Sequence, residues 1–135
     1  MNIIVTGGVG FVGTNLIKKL VKDGHKVVSL DNYSTGDAKN QVDGCMYFNV
    51  DVCSVIDYSF FQEKTDVIYH MAALARIQPS IEKPHPTIVN NFLSTLNILE
   101  YARTNDIRVV YAGSSSLHHG LYGSPYAWSK VSALN

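Results

Sequence analysis

A tyrosine and a lysine four residues apart are the first side chains of this chain whose spacing favours chemistry. Tyr126 and Lys130 stand near the beginning of a predicted helix, where residues i and i+4 share a face. A phenol has an ordinary pKa of about 10 and is a poor base at neutral pH, whereas a neighbouring ammonium group favours the phenolate. The pair can therefore carry a proton to or from a hydroxyl group. An accidental spacing on an exposed amphipathic helix is the alternative interpretation.

Three consecutive serines, residues 114–116, follow a predicted strand and precede that pair. A hydroxyl group at the end of a strand can hydrogen-bond a reacting oxygen atom and orient it toward the phenol. A solvated serine loop is the alternative, and such loops are common.

A glycine-rich turn directly follows the first apolar segment. Gly7, Gly10 and Gly13 lie in the sequence TGGVGFVG, between Asn2–Val5 and an amphipathic segment. We expect Gly7 to permit a sharp turn, Gly10 to leave room for a pyrophosphate and Gly13 to let the helix pack closely. The first helical amides then point at the anion. This strand–turn–helix context predicts a dinucleotide site.

An aspartate ends the second apolar segment, roughly twenty residues past the glycine turn, where the dinucleotide fingerprint has an acid. The Asp31 carboxylate can accept hydrogen bonds from the adenosine ribose and would repel a 2′-phosphate. No Arg or Lys follows it before Lys39, so the sequence favours NAD over NADP. An aspartate that opens a turn is the alternative.

Short apolar strands alternate with helices, which predicts a parallel sheet covered on both faces. Right-handed crossovers favour a Rossmann-like, doubly wound α/β fold with strand order 3-2-1-4-5 and a cofactor across the carboxyl ends of the strands. The predicted strands are Asn2–Val5, Lys26–Leu30, Cys45–Val50, Asp66–Tyr69 and Ile107–Ala112. The predicted helices are Phe11–Lys22, Val55–Glu63, Thr87–Thr104 with Ile88, Phe92, Leu96 and Leu99 buried, and one that begins with Ser124 as N-cap and Pro125 as N1.

Composition excludes several other classes of protein. The 135 residues carry 11 basic and 11 acidic side chains in mixed order, so no basic stripe indicates nucleic acid. No apolar segment has membrane-spanning length and no signal peptide is recognisable, so we expect a cytoplasmic protein with one domain over residues 1–135. Cys45 and Cys53 lack zinc spacing and are expected to be reduced thiols. His118 and His119 have no obvious third ligand, so no metal site is predicted.

The chain resembles the extended short-chain dehydrogenase/reductase family, which includes NAD-dependent nucleotide-sugar 4-epimerases and dehydratases such as UDP-glucose 4-epimerase. The resemblance covers residues 2–132. It rests on TGGVGFVG, DNYSTG at 31–36, Asp51-Val52, HMAA at 70–73, Asn91 with TLNILE at 95–100, the serine cluster and SPYAWSK. These motifs together are specific to the family and not to one member.

The resemblance implies a role for each matching residue. Ser115, Tyr126 and Lys130 would be the catalytic set, with Tyr126 removing a proton from the sugar hydroxyl at C4 while hydride passes to NAD. The residues implied in NAD binding are Gly7, Gly10, Phe11, Val12, Gly13, Asp31, Asn32, Tyr33, Ser34, Gly36, Asp51, Val52, Met71, Ala72, Ala73, Leu74 and Asn91. For Val12, Val52, Met71 and Leu74, ordinary core packing is the alternative.

Two departures from the family pattern affect these expectations. The segment between Ser115 and Tyr126 is much shorter than usual, and the family's Val-Tyr-Gly aligns with residues 118–120, which we prefer, or with residues 121–123. By comparison with the family, the chain is expected to be truncated at its carboxyl end, without the substrate domain. A fifth strand without its sheet neighbour and a bare helix face would favour a homodimer or a larger homo-oligomer.

Three functions remain open from the sequence. The leading one is the NAD-binding domain of a nucleotide-sugar epimerase or dehydratase, with a nucleotide-sugar as substrate. The others are a non-catalytic dinucleotide-binding module that needs a partner and a reductase of small ketones.

Overall fold

Five parallel strands form one sheet in the order β3-β2-β1-β4-β5 in the computed structural model, which describes residues 1–54, 58–120 and 122–134. The predicted doubly wound α/β fold and its strand order are therefore confirmed. The strands are β1 Asn2–Thr6, β2 Lys26–Asp31, β3 Cys45–Asn49, β4 Val67–His70 and β5 Arg108–Tyr111. The α-helices are α1 Phe11–Lys22, α2 Ile77–Glu82, α3 Pro84–Asn105 and α4 Pro125–Ser132, with 3-10 turns at Ala38–Asn40 and Ser115–His119.

The two faces of the sheet bury different sets of side chains because successive strand residues point to opposite faces. Ile3 and Val5 of β1 pack with Ile17 of α1 on one face. Ile4 of β1 packs with Ile98 of α3 on the other. Both faces are apolar at β1, and this explains why that strand is a continuous hydrophobic segment.

The predicted helix Val55–Glu63 is wrong for the residues that the structure describes. Residues 58–60 are irregular and residues 61–63 form a bend, and residues 55–57 lie outside the described ranges. The Phe60 amide donates to the Tyr58 carbonyl over 2.8 Å, which makes a tight turn. The Tyr58 ring lies 4.8 Å from that of Tyr101, and the Phe60 ring lies 4.6 Å from that of Phe48. These aromatic contacts with β3 and α3 override the local helical pattern.

The long helix α3 buries a different face from the one predicted. Phe92, Leu96 and Leu99 are 40%, 51% and 43% exposed, and Ile88 is half-buried. The side chains that α3 buries are Thr87, Asn91, Ser94, Thr95, Ile98 and Ala102. Most of them are small or polar, and Asn91 and Thr95 hydrogen-bond groups outside the helix. Apolar periodicity therefore identified the helix but assigned its faces wrongly.

The prolines at positions 79, 84 and 86 all lie in the first turns of α2 and α3. Pro84 is the first residue of α3, where its missing N–H costs nothing. Pro79 is the third residue of α2, still within the first turn. Residues 77–86 are therefore largely helical, and α2 packs against α4.

Candidate functional site

The glycine turn between β1 and α1 is packed too tightly for side chains at several positions, among them Gly7 and Gly13. Gly7 has a φ of +72°, and a Cβ there would lie 2.8 Å from the Ala72 amide nitrogen. A Cβ on Gly13 would lie 2.1 Å from the Gly7 carbonyl oxygen. Gly13 therefore allows the first turn of α1 to pack against the glycine turn. Gly7 allows the glycine turn to pack against the segment that follows β4.

Gly10 differs from those two glycines because its missing side chain leaves open space. A Cβ there would meet only the Gly7 carbonyl oxygen, at 3.4 Å. Gly10 is also the N-cap of α1, and it has an ordinary extended backbone and no side chain to cap the helix. The first amides of an α-helix have no intrahelical acceptor. They are therefore available to an anion, and no acidic residue stands in the first turn to compete for them.

The Asp31 carboxylate fixes the loop around it. Its Oδ2 accepts a hydrogen bond from the Val9 amide at 3.1 Å and its Oδ1 accepts one from the Tyr33 amide at 2.8 Å. The carboxylate is therefore held between the glycine turn and the loop that follows β2. Each of its oxygens keeps a second lone pair, which can accept from a ligand hydroxyl.

Two grooves meet at Gly7 and Gly10, along the carboxyl ends of the strands. Of the predicted residues, the first groove is lined by Gly7, Gly10, Asp31, Asn32, Ser34, Gly36, Asp51, Val52, Met71, Ala72, Ala73 and Leu74. The second groove is lined by Gly7, Gly10, Phe11, Val12, Gly13, Met71, Ala73 and Leu74. Phe11 and Val12 are 85% and 59% exposed. The alternative interpretation of Val12 as an ordinary core residue is therefore wrong. Val52, by contrast, is buried and also joins the apolar core.

Two predicted cofactor residues lie outside both grooves. Tyr33 has a φ of +58°, and its hydroxyl oxygen accepts a hydrogen bond from Gln41 at 2.8 Å. Asn91 is buried and bonds the Leu74 backbone twice, accepting from its amide at 2.8 Å and donating to its carbonyl at 3.2 Å. It also donates to Ser129 Oγ at 3.0 Å. Asn91 therefore joins the groove-lining loop to α4.

The helix that carries Tyr126 and Lys130 is capped by two serines. Ser124 Oγ accepts a hydrogen bond from the Ala127 amide at 3.0 Å, as predicted for the N-cap. Ser80 Oγ, from α2, accepts one from the Tyr126 amide at 3.2 Å. Lys130 is 4% exposed, and burial lowers the pKa of its ammonium group to about 8.

Tyr126 and Lys130 of the predicted catalytic set share helix α4, whereas Ser115 lies on a separate turn. Ser115 is exposed at the start of the 3-10 turn Ser115–His119, where the neighbouring Ser114 acts as the N-cap. Among the described residues, no hydrogen bond joins Ser115 to Tyr126 or Lys130, and none of the three lines either groove. The alternative alignment with residues 121–123 includes Leu121, which lies outside the described ranges.

A buried histidine lies behind the site. His70 is 1% exposed, and its ring nitrogens hydrogen-bond Thr6 Oγ1 at 2.7 Å and Thr95 Oγ1 at 3.1 Å. Burial, assisted by the Lys130 charge, lowers the pKa of His70 to about 3. The sequence reading gave this side chain no role beyond its place in HMAA.

Sequence reasoning missed several residues that line the grooves. They are Leu30, Thr35, Val50 and Asn90 in the first groove, and Thr35, Ala75, Arg76, Pro79, Glu82, Lys83, Pro86 and Thr87 in the second. Val50 and Thr35 each precede a predicted residue, so the ends of β3 and of the DNYSTG loop could have indicated them. Helix α2 and the start of α3 carried no comparable signal.

The described residues contain no cluster of three or more side chains that could hold a metal ion. In the same ranges, no helix is both long enough and apolar enough to cross a bilayer.

A doubly wound sheet with a bare glycine turn after its first strand and an acid at the end of its second is the arrangement typical of dinucleotide-binding proteins. The family model described as "NAD dependent epimerase/dehydratase family" matches residues 3–133. The chain belongs to this family.

Three relatives illustrate the likeness. A UDP-glucose 4-epimerase of Mycolicibacterium smegmatis is 33% identical over 134 residues, which are 95% of this chain and 42% of the relative. A UDP-N-acetyl-alpha-D-glucosaminuronate decarboxylase of Bacillus cytotoxicus is 32% identical over 118 residues, covering 85% of this chain and 37% of the relative. A crystal structure of Thermus thermophilus UDP-glucose 4-epimerase in complex with NAD matches with a TM-score of 0.88 and 30% identity, covering 99% of this chain and 49% of that one. The chain thus spans less than half the length of these relatives.

Proposed function

We propose that residues 1–135 form an NAD-binding domain, with the adenosine half of NAD in the first groove and the pyrophosphate at the start of α1. The observation that carries this proposal is Gly10, which stands where the two grooves meet and whose missing side chain leaves that junction open. Asp31 lies in the first groove, where its free lone pairs would accept from the ribose hydroxyls. The NAD in the T. thermophilus relative supports the same choice of ligand.

The proposed activity is the NAD-dependent epimerisation or dehydration of a nucleotide-sugar. All three relatives quoted above bear names of UDP-sugar enzymes, two of them epimerases and one a decarboxylase. Their names support a UDP-sugar substrate more strongly than any one reaction. NAD supplies a hydride acceptor when bound. Tyr126 would hold and accept the proton of the sugar hydroxyl at C4, Lys130 would favour its phenolate, and Ser115 would hydrogen-bond the reacting oxygen.

A non-catalytic dinucleotide-binding module is the second candidate. The exposed position of Ser115, and its lack of a hydrogen bond to Tyr126 or Lys130 within the described ranges, favour it for this chain on its own. Titration with NAD and then with UDP-sugars separates the two candidates. Turnover that is lost in Tyr126→Phe supports the enzyme, and NAD binding without UDP-sugar binding or turnover supports the module. Reduction of simple ketones would instead support a small-ketone reductase.

The cofactor proposal is tested by calorimetry on Gly10→Val. The Gly10 backbone has φ −77° and ψ 171°, which valine tolerates, so the variant should fold. Its side chain would fill the junction of the grooves, and we expect the affinity for NAD to fall at least tenfold. Gly113→Val is the matched control, because a Cβ there meets nothing within 4 Å and Gly113 lines neither groove.

Two results would contradict the cofactor proposal. One is a folded wild-type chain with no affinity for NAD. The other is Gly10→Val binding NAD as tightly as Gly113→Val does.

We also propose that the chain self-associates through α3. Val89, Phe92, Leu96 and Leu99 are exposed and spaced by three, four and three residues, so they form one apolar stripe along the helix. This spacing is typical of a helix that packs against another helix. A second copy can supply the same stripe through a twofold axis. This stripe would be the interface of the proposed homodimer.

A further inference from the structure

Tyr111 is the last residue of β5 and lies on the face of the sheet that α3 covers. Its register partner on β4 is His70, and the two ring centroids are 5.9 Å apart. Val109, two residues earlier in β5, points to the same face of the sheet and packs against the apolar cluster under α3. The Tyr111 side chain therefore stands beside the buried His70 ring.

Tyr111 contacts Lys130 twice. The Lys130 Nζ lies 4.0 Å from the centroid of the Tyr111 ring, over its face. The Tyr111 hydroxyl donates a hydrogen bond to the Lys130 backbone carbonyl at 3.2 Å. One side chain thus holds both the backbone and the charged end of the same lysine.

The Lys130 ammonium needs such a partner because it is buried. Within residues 1–54, 58–120 and 122–134, no ion pair includes Lys130. Among the described residues, its recorded neighbours on other elements carry no carboxylate: His70 faces it from β4 and is neutral, and Thr95 of α3 bonds that histidine. On its own helix, the titratable group is the Tyr126 phenol. On α2, Glu82 accepts a hydrogen bond from Gln78 on the exposed side. The face of an aromatic ring carries the negative part of its quadrupole and attracts a cation.

We propose that Tyr111 is a positioning residue that holds Lys130, one helical turn after Tyr126 on α4, as a cation through the face of its ring. This inference rests on the proposed function, in which Lys130 favours the Tyr126 phenolate. The phenol hydroxyl fixes the helix backbone at Lys130, and the ring stabilises the charge at the end of the side chain. Tyr111 lines neither groove.

The test is the pKa of Lys130, measured by NMR on 13Cε-lysine in the chain without NAD, with the resonance assigned through Lys130→Arg. A cation–π contact contributes about 0.5 to 2 kcal/mol, so Tyr111→Leu should lower this pKa by roughly 0.4 to 1.5 units. Tyr111→Phe keeps the ring and should leave the pKa within about 0.3 units of wild type.

Two further variants keep the test decisive. Pentafluorophenylalanine at position 111 preserves the shape of the ring and inverts its quadrupole, so it should lower the pKa as Tyr111→Leu does, even if the leucine variant fails to fold. Tyr69→Leu removes an aromatic ring from β4 on the α1 face of the sheet and should leave the pKa unchanged. An unchanged pKa in the fluorinated chain, or an equal drop in Tyr69→Leu, would overturn the proposal.

Failure of this proposal and failure of the proposed function give different results. The Lys130 titration needs no cofactor, whereas the proposed function fails if folded wild type does not bind NAD. If the chain binds NAD but substitutions at position 111 leave the pKa of Lys130 unchanged, only the proposed role of Tyr111 is excluded.

Discussion

Asp31 combines a structural task with the proposed task of binding a ligand. Its two oxygens accept the Val9 and Tyr33 amides and so join the glycine turn to the loop after β2. The Tyr33 backbone is left-handed, with a φ of +58°, and the carboxylate holds it there. The lone pairs that remain face the first groove, so the same group that shapes the loop would bind the ribose.

Asp31→Asn should weaken NAD binding more than it weakens the fold. The amide keeps one acceptor oxygen, but a hydrogen bond to a charged group contributes about 1.5 to 3 kcal/mol, so we expect the dissociation constant for NAD to rise roughly tenfold to a hundredfold. Calorimetry measures the affinity. Asp43→Asn, an exposed aspartate outside both grooves, should bind NAD as wild type does. Equal affinities for NAD in the two variants would exclude the ribose role.

At the scale of elements, His70 connects three of them. It lies on β4 and hydrogen-bonds Thr6 of β1 and Thr95 of α3. The bond to Thr95 explains why α3 buries a threonine where the sequence suggested apolar side chains. The apolar pattern alone could not reveal this, because the partners are more than twenty residues away along the chain.

The buried His70 predicts that stability falls in mild acid. Its pKa is lowered from the ordinary 6.5 to about 3, so between these values the unfolded chain binds more protons than the folded one. The stabilising contribution is therefore complete above about pH 6.5 and declines as the pH falls. Urea unfolding should show a loss of about 1 to 2 kcal/mol between pH 7 and pH 5.

The control for this prediction makes the same substitution at a buried histidine and at an exposed one. His70→Gln should reduce the loss of stability between pH 7 and pH 5, whereas His85→Gln, on the exposed side of α3, should retain it. If His70→Gln kept the full pH dependence, other groups would have to be its source.

For the whole molecule, the exposed stripe on α3 predicts self-association that one charge can abolish. Leu96→Glu puts a carboxylate in the middle of the stripe, and we expect sedimentation to show monomers where wild type forms dimers. Leu117→Glu is the matched control, because Leu117 is 50% exposed and Leu96 is 51% exposed. Monomeric wild type at micromolar concentration, or dimers in Leu96→Glu, would contradict the proposed surface.

This chain matches less than half the length of its relatives, and this bears on which of the proposed activities it can carry out. It spans 42% of the M. smegmatis epimerase and 49% of the T. thermophilus epimerase structure, although those matches take in almost all of its own residues. The groups proposed to bind the cofactor lie within the described residues. Turnover of a nucleotide-sugar depends in addition on substrate positioning, which carries a large part of a catalytic rate.

The sequence by itself determined the sheet, its order and the glycine turn. Those features follow from short-range rules: apolar strands separated by helices, right-handed crossovers, and glycines at spacings that a single strand–turn–helix unit dictates. The lining of the first groove was largely predictable for the same reason, since residues such as Asp31 and Asp51 follow directly on strand ends.

Only the tertiary structure decided which face of α3 is buried, that residues 58–63 are not helical, and that Ser80, Asn91 and Tyr111 hold α4. Each of these depends on a partner distant in sequence. Buried hydrogen bonds and aromatic packing between elements outweigh local preferences of a few tenths of a kcal/mol per residue. The pattern of residues along the sequence reflects local preferences, and it does not show which distant residues become partners in the fold.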